Sequence, residues 1–327
     1  MTLEALIQGG GAGMMKSLAV VLEEPERLAL ASLALDEPTS GDVVVETRWS
    51  GVSTGTERLL YTGRMPMFPG MGYPLVPGYE TVGAVVSSGA ESGVPVGALV
   101  FVPGAHCFGA VRGLHGGSAS RLVVPGARVV RFKTDPGENG VLLALAATAL
   151  HALNVAERGA GPTLIVGHGA LGRLLARISL ALGGAAPVVW EKNPTRAEGA
   201  VGYSVVSPDH DDRRNYETII DVSGDARLLD RLIQRLAPRG KVVLAGFYDT
   251  VSFAFAPAFM REASIRIAAQ WSKGDLEGVL ALVDRDVLSL DGLITHRFAA
   301  QEAPEAYSIA FGDPSCVKMV LDWSTVR

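Results

Sequence analysis

The chain has only 2 cysteines, Cys107 and Cys316, in 327 residues. Two thiols exclude a disulfide-stapled scaffold and any four-thiolate zinc site, and they fit a reducing compartment such as the cytoplasm. A basic excess is also missing. With 29 Lys and Arg against 34 Asp and Glu, the net charge is −5, and the electrostatic footprint of a nucleic-acid binder is absent. No apolar run reads as an integral membrane segment. The most apolar stretch, Val141 to Leu153, is short, is interrupted by His151 and is closed by Asn154. Charged residues make up 19% and hydrophobic residues 48%, too little charge for a disordered chain and enough apolar material for a sizeable core. At about 150 residues per domain, two domains are expected. The 39 glycines show no G-X-Y period, which excludes collagen.

The first fourteen residues contain no Lys or Arg, so they do not form a secretory signal. Gln8-Gly9-Gly10-Gly11-Ala12-Gly13 has the composition of a flexible linker. Residues 1–14 are read as a leader or linker ahead of a domain that starts at Met14 or Met15. From there to about Val130, short β-branched runs alternate with Gly/Pro turns. Strands are expected over Lys16–Leu22, Asp42–Trp49, Gly83–Val86, Ala98–Val102 and Arg121–Val124, the texture of a β-barrel or sandwich. Beyond Glu138 the texture changes. A helix is expected over Leu142–Val155, then a strand at Thr163–Val166, a helix at Leu171–Leu182 and strands at Pro187–Trp190 and Glu217–Asp221. A helix at Ala226–Ala237 and a strand at Lys241–Ala245 follow, and a strand at Cys316–Leu321 ends the chain. Such alternation is the signature of a parallel sheet covered on both faces.

The sharpest local signal is Gly167-His168-Gly169-Ala170-Leu171-Gly172, between an expected strand and an expected helix. In that context G-x-G-x-x-G is a dinucleotide fingerprint. Gly167 permits the tight turn, Gly169 lets the backbone approach a pyrophosphate, and Gly172 lets the helix pack on the strand, with the phosphates at the helix N-terminus. Glu191 lies 19 residues beyond Gly172, where an acid holds the ribose 2′-hydroxyl of NAD. Lys192 and Arg196 follow, but a carboxylate at 191 would oppose the 2′-phosphate of NADP, so NAD is the expected cofactor. Ser223 and Gly246 follow later strands, where strand ends line a cofactor crevice. Leu171 completes the cofactor-binding set.

A strand-rich first half, a Rossmann unit and a short return segment resemble the medium-chain dehydrogenase/reductase superfamily. Pro77-Gly78-Tyr79-Glu80-Thr81-Val82-Gly83, the helix Leu145–Leu153 and Leu293-Ile294-Thr295-His296-Arg297-Phe298 sit where that superfamily has its motifs. The resemblance implies an α/β chain. A GroES-like β-rich catalytic domain would span 15–145 and 285–327, and a Rossmann doubly wound parallel-sheet domain 146–284. A narrower resemblance rests on residues 49–57, 68–80, 101–105 and 256–260. It is to the bacteriochlorophyllide a dehydrogenases of bacteriochlorophyll synthesis. It implies NAD-dependent oxidation of a 3-(1-hydroxyethyl) group to 3-acetyl on a tetrapyrrole.

The superfamily's zinc pattern is not kept. Its catalytic ligand positions match Ser53, Tyr79 and Ala146, with Glu80 beside Tyr79. Ser and Tyr are poor zinc ligands and Ala is none, so no metal is expected. His106, Cys107 and His115 fit no standard zinc spacing and are read as part of a mobile, glycine-rich surface loop. Without a Lewis acid a side chain must take the hydroxyl proton. Tyr79 and His151 are the candidates, Ser53 and Thr56 would orient the hydroxyl, and Glu80 would support or tune Tyr79. The loop Tyr61–Tyr73 carries Arg64, Met65, Met67 and Phe68, thioether and aromatic groups suited to a large flat ligand, with Arg64 placed to meet a substrate carboxylate. Two other readings stay open: a zinc-free NADPH quinone or enone reductase, and a non-catalytic NAD-binding redox sensor. Lys241–Tyr248 is read as an edge strand through which a homodimer could pair.

Overall fold

The computed structural model describes residues 14–326 apart from Phe68, Gly113, Arg158 and Ala160. The leader expected over 1–14 therefore lies outside the described residues, except for Met14. The chain divides into two compact units, Met1–Leu142 with Ile294–Arg327, and Leu143–Leu293.

In the first unit, β1 (Lys16–Glu24) and β2 (Arg27–Ala34) form an antiparallel hairpin. Next come β3 (Asp42–Val52), the short helix α1 (Thr56–Tyr61), β4 (Thr81–Ser88), β5 (Leu99–Val102), β6 (Arg121–Pro125) and β7 (Val130–Arg131). Strand β3 is the hub. Its run Val43-Val44-Val45 is buried, and β4 and β6 both pair with it antiparallel. Val, Ile and Thr fit a pleated, packed surface, which is why this Val-rich segment takes the central place.

The second unit opens with α2 (Leu143–Val155), preceded by a 3₁₀ turn over Gly137–Leu142. It continues with β8 (Thr163–Val166), α3 (Ala170–Ala181), β9 (Val188–Trp190), α4 (Pro194–Ala197), β10 (Ser204–Val206), β11 (Tyr216–Asp221), α5 (Leu229–Ile233), β12 (Leu236–Leu244), α6 (Phe255–Met260), β13 (Ser264–Ile267) and α7 (Lys273–Val283). The six strands are parallel, in the order β10-β9-β8-β11-β12-β13. In chain order that is 3-2-1-4-5-6, the Rossmann order, with its switch point between β8 and β11. The chain then returns to the first unit with β14 (His296–Ala299), α8 (Ala303–Gly312) and β15 (Met319–Asp322). Strand β15 pairs antiparallel with β3 and parallel with β14.

Several expectations change. Lys241–Tyr248 is not an edge: β12 is hydrogen-bonded on both sides, and β13 and β10 are the edges of that sheet. The helix expected over Ala226–Ala237 is a 3₁₀ turn capped by Asp225, then five residues of α-helix. Pro238 cannot continue a helix, and Leu236 has already joined the sheet opposite Tyr216. The unit boundaries fall at 142/143 and 293/294 rather than 145/146 and 284/285. Helix α2 packs on α3 and α7, and Arg177 of α3 donates to the carbonyls of Ser289 and Asp291, tying 285–293 to the second unit. The helical stretch Gly137–Val155 is, at 19 residues, long and apolar enough to cross a membrane by length and composition, but 61% of it is buried inside the protein. It is a core helix.

Trp323 closes the first unit. Its indole is buried, and its Nε1 donates to Ser50 Oγ on β3 at 2.8 Å. Trp323→Ala is expected to destabilise the protein by about 3–5 kcal/mol through the cavity it leaves. Trp323→Phe should cost only about 1–3 kcal/mol, the cost of an unpartnered polar group. Urea unfolding of the two variants checks the ranking.

Candidate active site

The glycine turn sits at the C-terminal end of β8, at the switch point. Gly167 has φ +108°, a left-handed conformation open to glycine, and a Cβ on Gly172 would collide with the Gly167 carbonyl. The N-cap of α3 is Gly169, with no side-chain cap, so the first amides of the helix stay free for an anion. The residues of the turn therefore fit a dinucleotide. Ser223 and Gly246 follow the ends of β11 and β12. The Ser223 amide donates to Asp221 Oδ1 at 2.9 Å.

Glu191, at the end of β9, is fixed from two sides. The His168 amide donates to its Oε2 at 3.1 Å and the Asn193 amide to its Oε1 at 2.8 Å. Residues that sequence reasoning passed over hold this acid in place. His168 is fully buried. Its Nδ1 meets the Arg196 carbonyl at 2.6 Å and its Nε2 meets Tyr203 Oη at 2.7 Å. Arg173 of α3 donates to the carbonyls of His168, Arg196 and Glu198. The segment 191–198 is thereby fastened to the glycine turn.

In the first unit, Gly78 (φ +95°) makes the turn into β4, and a Cβ there would meet the Ser118 amide at 2.8 Å. That turn delivers Tyr79. Its phenol donates to Ser53 Oγ at 2.8 Å, with Thr56 Oγ1 3.3 Å away. Three of the expected residues thus meet: Ser53 and Thr56 from the β3–α1 junction, and Tyr79. Burial, then the charge of Glu80, raises the Tyr79 pKa well above 10, so the phenol stays protonated near neutrality. Glu80 takes a different partner from that trio. It is fully buried and takes a hydrogen-bonded ion pair from Lys318, also buried, beside β15.

Two residues of the site escaped the sequence reading. Glu57 is fully buried; its Oε1 accepts the Ser53 amide at 3.0 Å and its Oε2 accepts the phenol of Tyr307 on α8. His115, at φ +82°, lays its ring 4.9 Å from that of Tyr79, and burial pushes its pKa down to about 4, so it is neutral. The spacing Ser53-x-x-x-Glu57 is a signal for the first, an acid folding back on a helix start. His115 has none, because its neighbour is distant in sequence.

His151 lies on α2 in the second unit. Its Nδ1 is 2.9 Å from Asp275 Oδ2, while Asn154 donates to Asp275 Oδ1 at 2.9 Å. Burial works to raise the Asp275 pKa, but hydrogen bonds from Ser272, Asn154 and His151 hold it below the usual value. An ionised carboxylate only accepts, so Nδ1 of His151 carries a hydrogen and donates it to Asp275. Asp275 also completes the capping box of α7 with Ser272.

The zinc pattern can be tested on the donors. Ser53 and Tyr79 are bonded to each other, Ala146 has no donor, and Glu57 and Glu80 are committed to Tyr307 and Lys318. Glu80 Oε1, buried without a partner, is one donor where four-coordinate zinc needs three or four. Among the described residues no three His, Cys, Asp or Glu side chains converge. The residues present do not fit a catalytic zinc.

The glycine-rich segment with His106, Cys107 and His115 is not a loose loop. Cys107 belongs to the β-core, accepts the Val123 amide at 3.5 Å, and has its thiol pushed up to about 12 by burial. The Ala105 amide donates to the His115 carbonyl at 2.6 Å. In the loop after α1, Met65, expected at a substrate surface, is buried and packs with Leu22, Leu60 and Leu75. Met67 is 83% exposed and Arg64 is exposed. Phe68 lies outside the described residues.

Comparison with known proteins agrees with this architecture. Residues 39–134 match the alcohol dehydrogenase GroES-like domain. The 2-desacetyl-2-hydroxyethyl bacteriochlorophyllide A dehydrogenase of Rhodobacter capsulatus is 53% identical over 315 residues, 96% of this chain and 100% of that protein. Its counterpart in Cereibacter sphaeroides is also 53% identical, over 94% of this chain and 99% of that protein. The fold is that of an Escherichia coli CFT073 alcohol dehydrogenase solved with NADH, at TM-score 0.81 and 20% identity, covering 95% of this chain and all of that one. The chain belongs to the 2-desacetyl-2-hydroxyethyl bacteriochlorophyllide A dehydrogenase family of the medium-chain dehydrogenase/reductase superfamily.

Proposed function

We propose that this chain oxidises the hydroxyethyl substituent of a bacteriochlorophyllide to an acetyl group, using NAD and no catalytic metal. The observation that carries the reading is the 53% identity, over nearly the whole length, to relatives named for that dehydrogenation. The reaction converts a secondary alcohol and NAD⁺ to a ketone, NADH and a proton. NAD, when bound, supplies the hydride acceptor. The glycine turn and the α3 amides would hold the pyrophosphate, and the fixed carboxylate of Glu191 would take the ribose hydroxyl. A 2′-phosphate would meet that charge head on, which supports NAD over NADP.

Ser53, Thr56 and Tyr79 would orient the alcohol. A phenol that stays protonated is not the terminal base; in a relay its oxygen takes the alcohol's proton as its own proton passes on to Ser53 Oγ, to which it donates. His151, whose Nδ1 is held by Asp275 in the second unit, is the other candidate base, oriented as a carboxylate orients a general base. The conjugated macrocycle lessens the need for a metal, since it delocalises the positive charge that develops at the carbinol carbon as hydride leaves. Arg64 would meet a substrate carboxylate.

Three outcomes are expected. Incubation of the hydroxyethyl pigment with NAD and the protein should shift the pigment's red band in step with NADH formation, at a rate unchanged by chelators. Stoichiometric zinc, with activity lost on chelation and restored by zinc alone, would overturn the metal-free reading. Tyr79→Phe should lower kcat by about 10²-fold, the scale of a lost proton-transfer partner, with KM for NAD unchanged; wild-type kcat would remove Tyr79 from the chemistry. Glu191→Ala should narrow the preference for NAD over NADP by about tenfold, on the scale of one charge-assisted hydrogen bond. Coenzyme titration of the variant measures it, and an unchanged ratio would count against the role of Glu191.

A further inference from the structure

Glu57 and Tyr307 lie in neither the glycine turn nor the Pro77–Gly83 motif, and the mechanism above leaves them unused. Yet Glu57 is a fully buried acid in the first turn of α1. Its bonding to Ser53 is reciprocal: Oε1 accepts the Ser53 amide at 3.0 Å, and the Glu57 amide donates to the Ser53 carbonyl at 2.9 Å. Its second oxygen accepts the phenol of Tyr307, only 1% exposed. Ser53 then receives the phenol of Tyr79 at 2.8 Å. One chain of contacts runs from α8 to the hydroxyl pair.

A buried carboxylate is a costly way to fill space, since an apolar side chain of similar volume is commonly as stabilising or more so. What the carboxylate does and a leucine cannot do is hold two donors at once. The backbone of Ser53 is fixed by one oxygen, while Tyr307 fixes the carboxylate. We propose that Glu57, clamped by Tyr307, is the positioning residue that sets Ser53 and Tyr79 for the alcohol oxidation. This rests on the functional reading above.

The charge state of Glu57 follows from its surroundings. Burial pushes it up to about 7; the bonds from Tyr307 and Ser53 restrain the rise, Glu80 adds to it and Lys318 opposes it. These groups, with Tyr79, are the titratable and charged neighbours that face it. Below that pH the acid takes a proton. The Ser53 amide cannot accept a hydrogen bond, so the proton goes to Oε2 and Tyr307 turns from donor to acceptor. The bond to the Ser53 amide then loses its charge assistance, about half its strength. Activity therefore rises as pH increases through about 7.

The test measures kcat against pH at saturating NAD with the hydroxyethyl pigment, in the wild type, Tyr307→Phe, Glu57→Gln and Glu57→Ala. Tyr307→Phe keeps the ring but removes a donor to the carboxylate. It should move the rising limb to higher pH and lower kcat at neutrality about tenfold, with KM for NAD unchanged, since small misplacements near a reacting group cost 10–10² in rate. Glu57→Gln should lose that limb and keep more activity than Glu57→Ala, because its amide oxygen still accepts from Ser53. Amide exchange in the peptide around Ser53, read by mass spectrometry without pigment, should be faster in Tyr307→Phe and Glu57→Ala. Exchange and a pH limb both unchanged in Tyr307→Phe would overturn the proposal. A wild type that exchanges as expected but does not turn over the pigment would sink the functional reading and leave the positioning role of Glu57 standing.

Discussion

Two carboxylates buried in the first unit govern how its site is built. Glu57 and Glu80 are removed from water, and an unpaired charge in that setting would cost several kcal/mol. Each takes a partner from the C-terminal return of the chain: Glu57 Oε2 the phenol of Tyr307 on α8, and Glu80 Oε2 the ammonium of Lys318 just before β15. The segment after Ile294 is thus more than an added edge to a β-domain. It brings the donors without which the acids behind Ser53 and Tyr79 could not stay buried. The parallel pairing of β14 with β15, the antiparallel pairing of β15 with β3 and the Trp323 bond to Ser50 fix where those donors arrive.

The second unit meets its own constraint by a different route. There the acid that matters, Glu191, is held by backbone amides, and the fastening is done by His168 and Arg173, which spend their donors on carbonyls of the 196–198 segment. Arg173 is a buried cation that donates to three backbone oxygens. An arginine in that position secures a loop by its five fixed donors, which a lysine of similar reach would do less well.

What the sequence made legible follows from this contrast. The glycine turn, Glu191 and the parallel sheet are local or periodic features. A turn needing glycine, a strand before it and an acid after it leave a pattern within thirty residues. Ser53, Thr56 and Tyr79 were found by resemblance to motifs, and they meet. Glu57–Tyr307, Glu80–Lys318 and Tyr79–His115 join residues 250, 238 and 36 apart in the chain, and no spacing rule marks such pairs. The differences have the same origin. Met65 was expected to be exposed because an unbranched apolar side chain in a Pro/Gly-rich loop gives no sign of whether it turns inward. Lys241–Tyr248 looked like an edge because β13, which covers it, is only four residues long and weakly apolar, Ser264-Ile265-Arg266-Ile267.

The substitution of a zinc-type donor set by Ser53 and Tyr79 changes the electrostatics expected of the reaction. A divalent cation stabilises an alkoxide, so proton loss comes easily and hydride loss follows. Here the groups behind the hydroxyl site are two acids, one neutralised by Lys318 and one, Glu57, carrying its charge above about pH 7. Burial, with the charges of Glu80 and Glu57 added to it, keeps the Tyr79 phenol protonated; those charges oppose an alkoxide and favour positive charge at the carbon from which hydride departs. Such a field suits an alcohol whose carbinol carbon is attached to a conjugated ring and suits poorly a simple aliphatic alcohol. On the proposed reading, the loss of the metal and the choice of a tetrapyrrole are two sides of one electrostatic arrangement, and the protein's part is to hold the hydroxyl still while the macrocycle carries the charge.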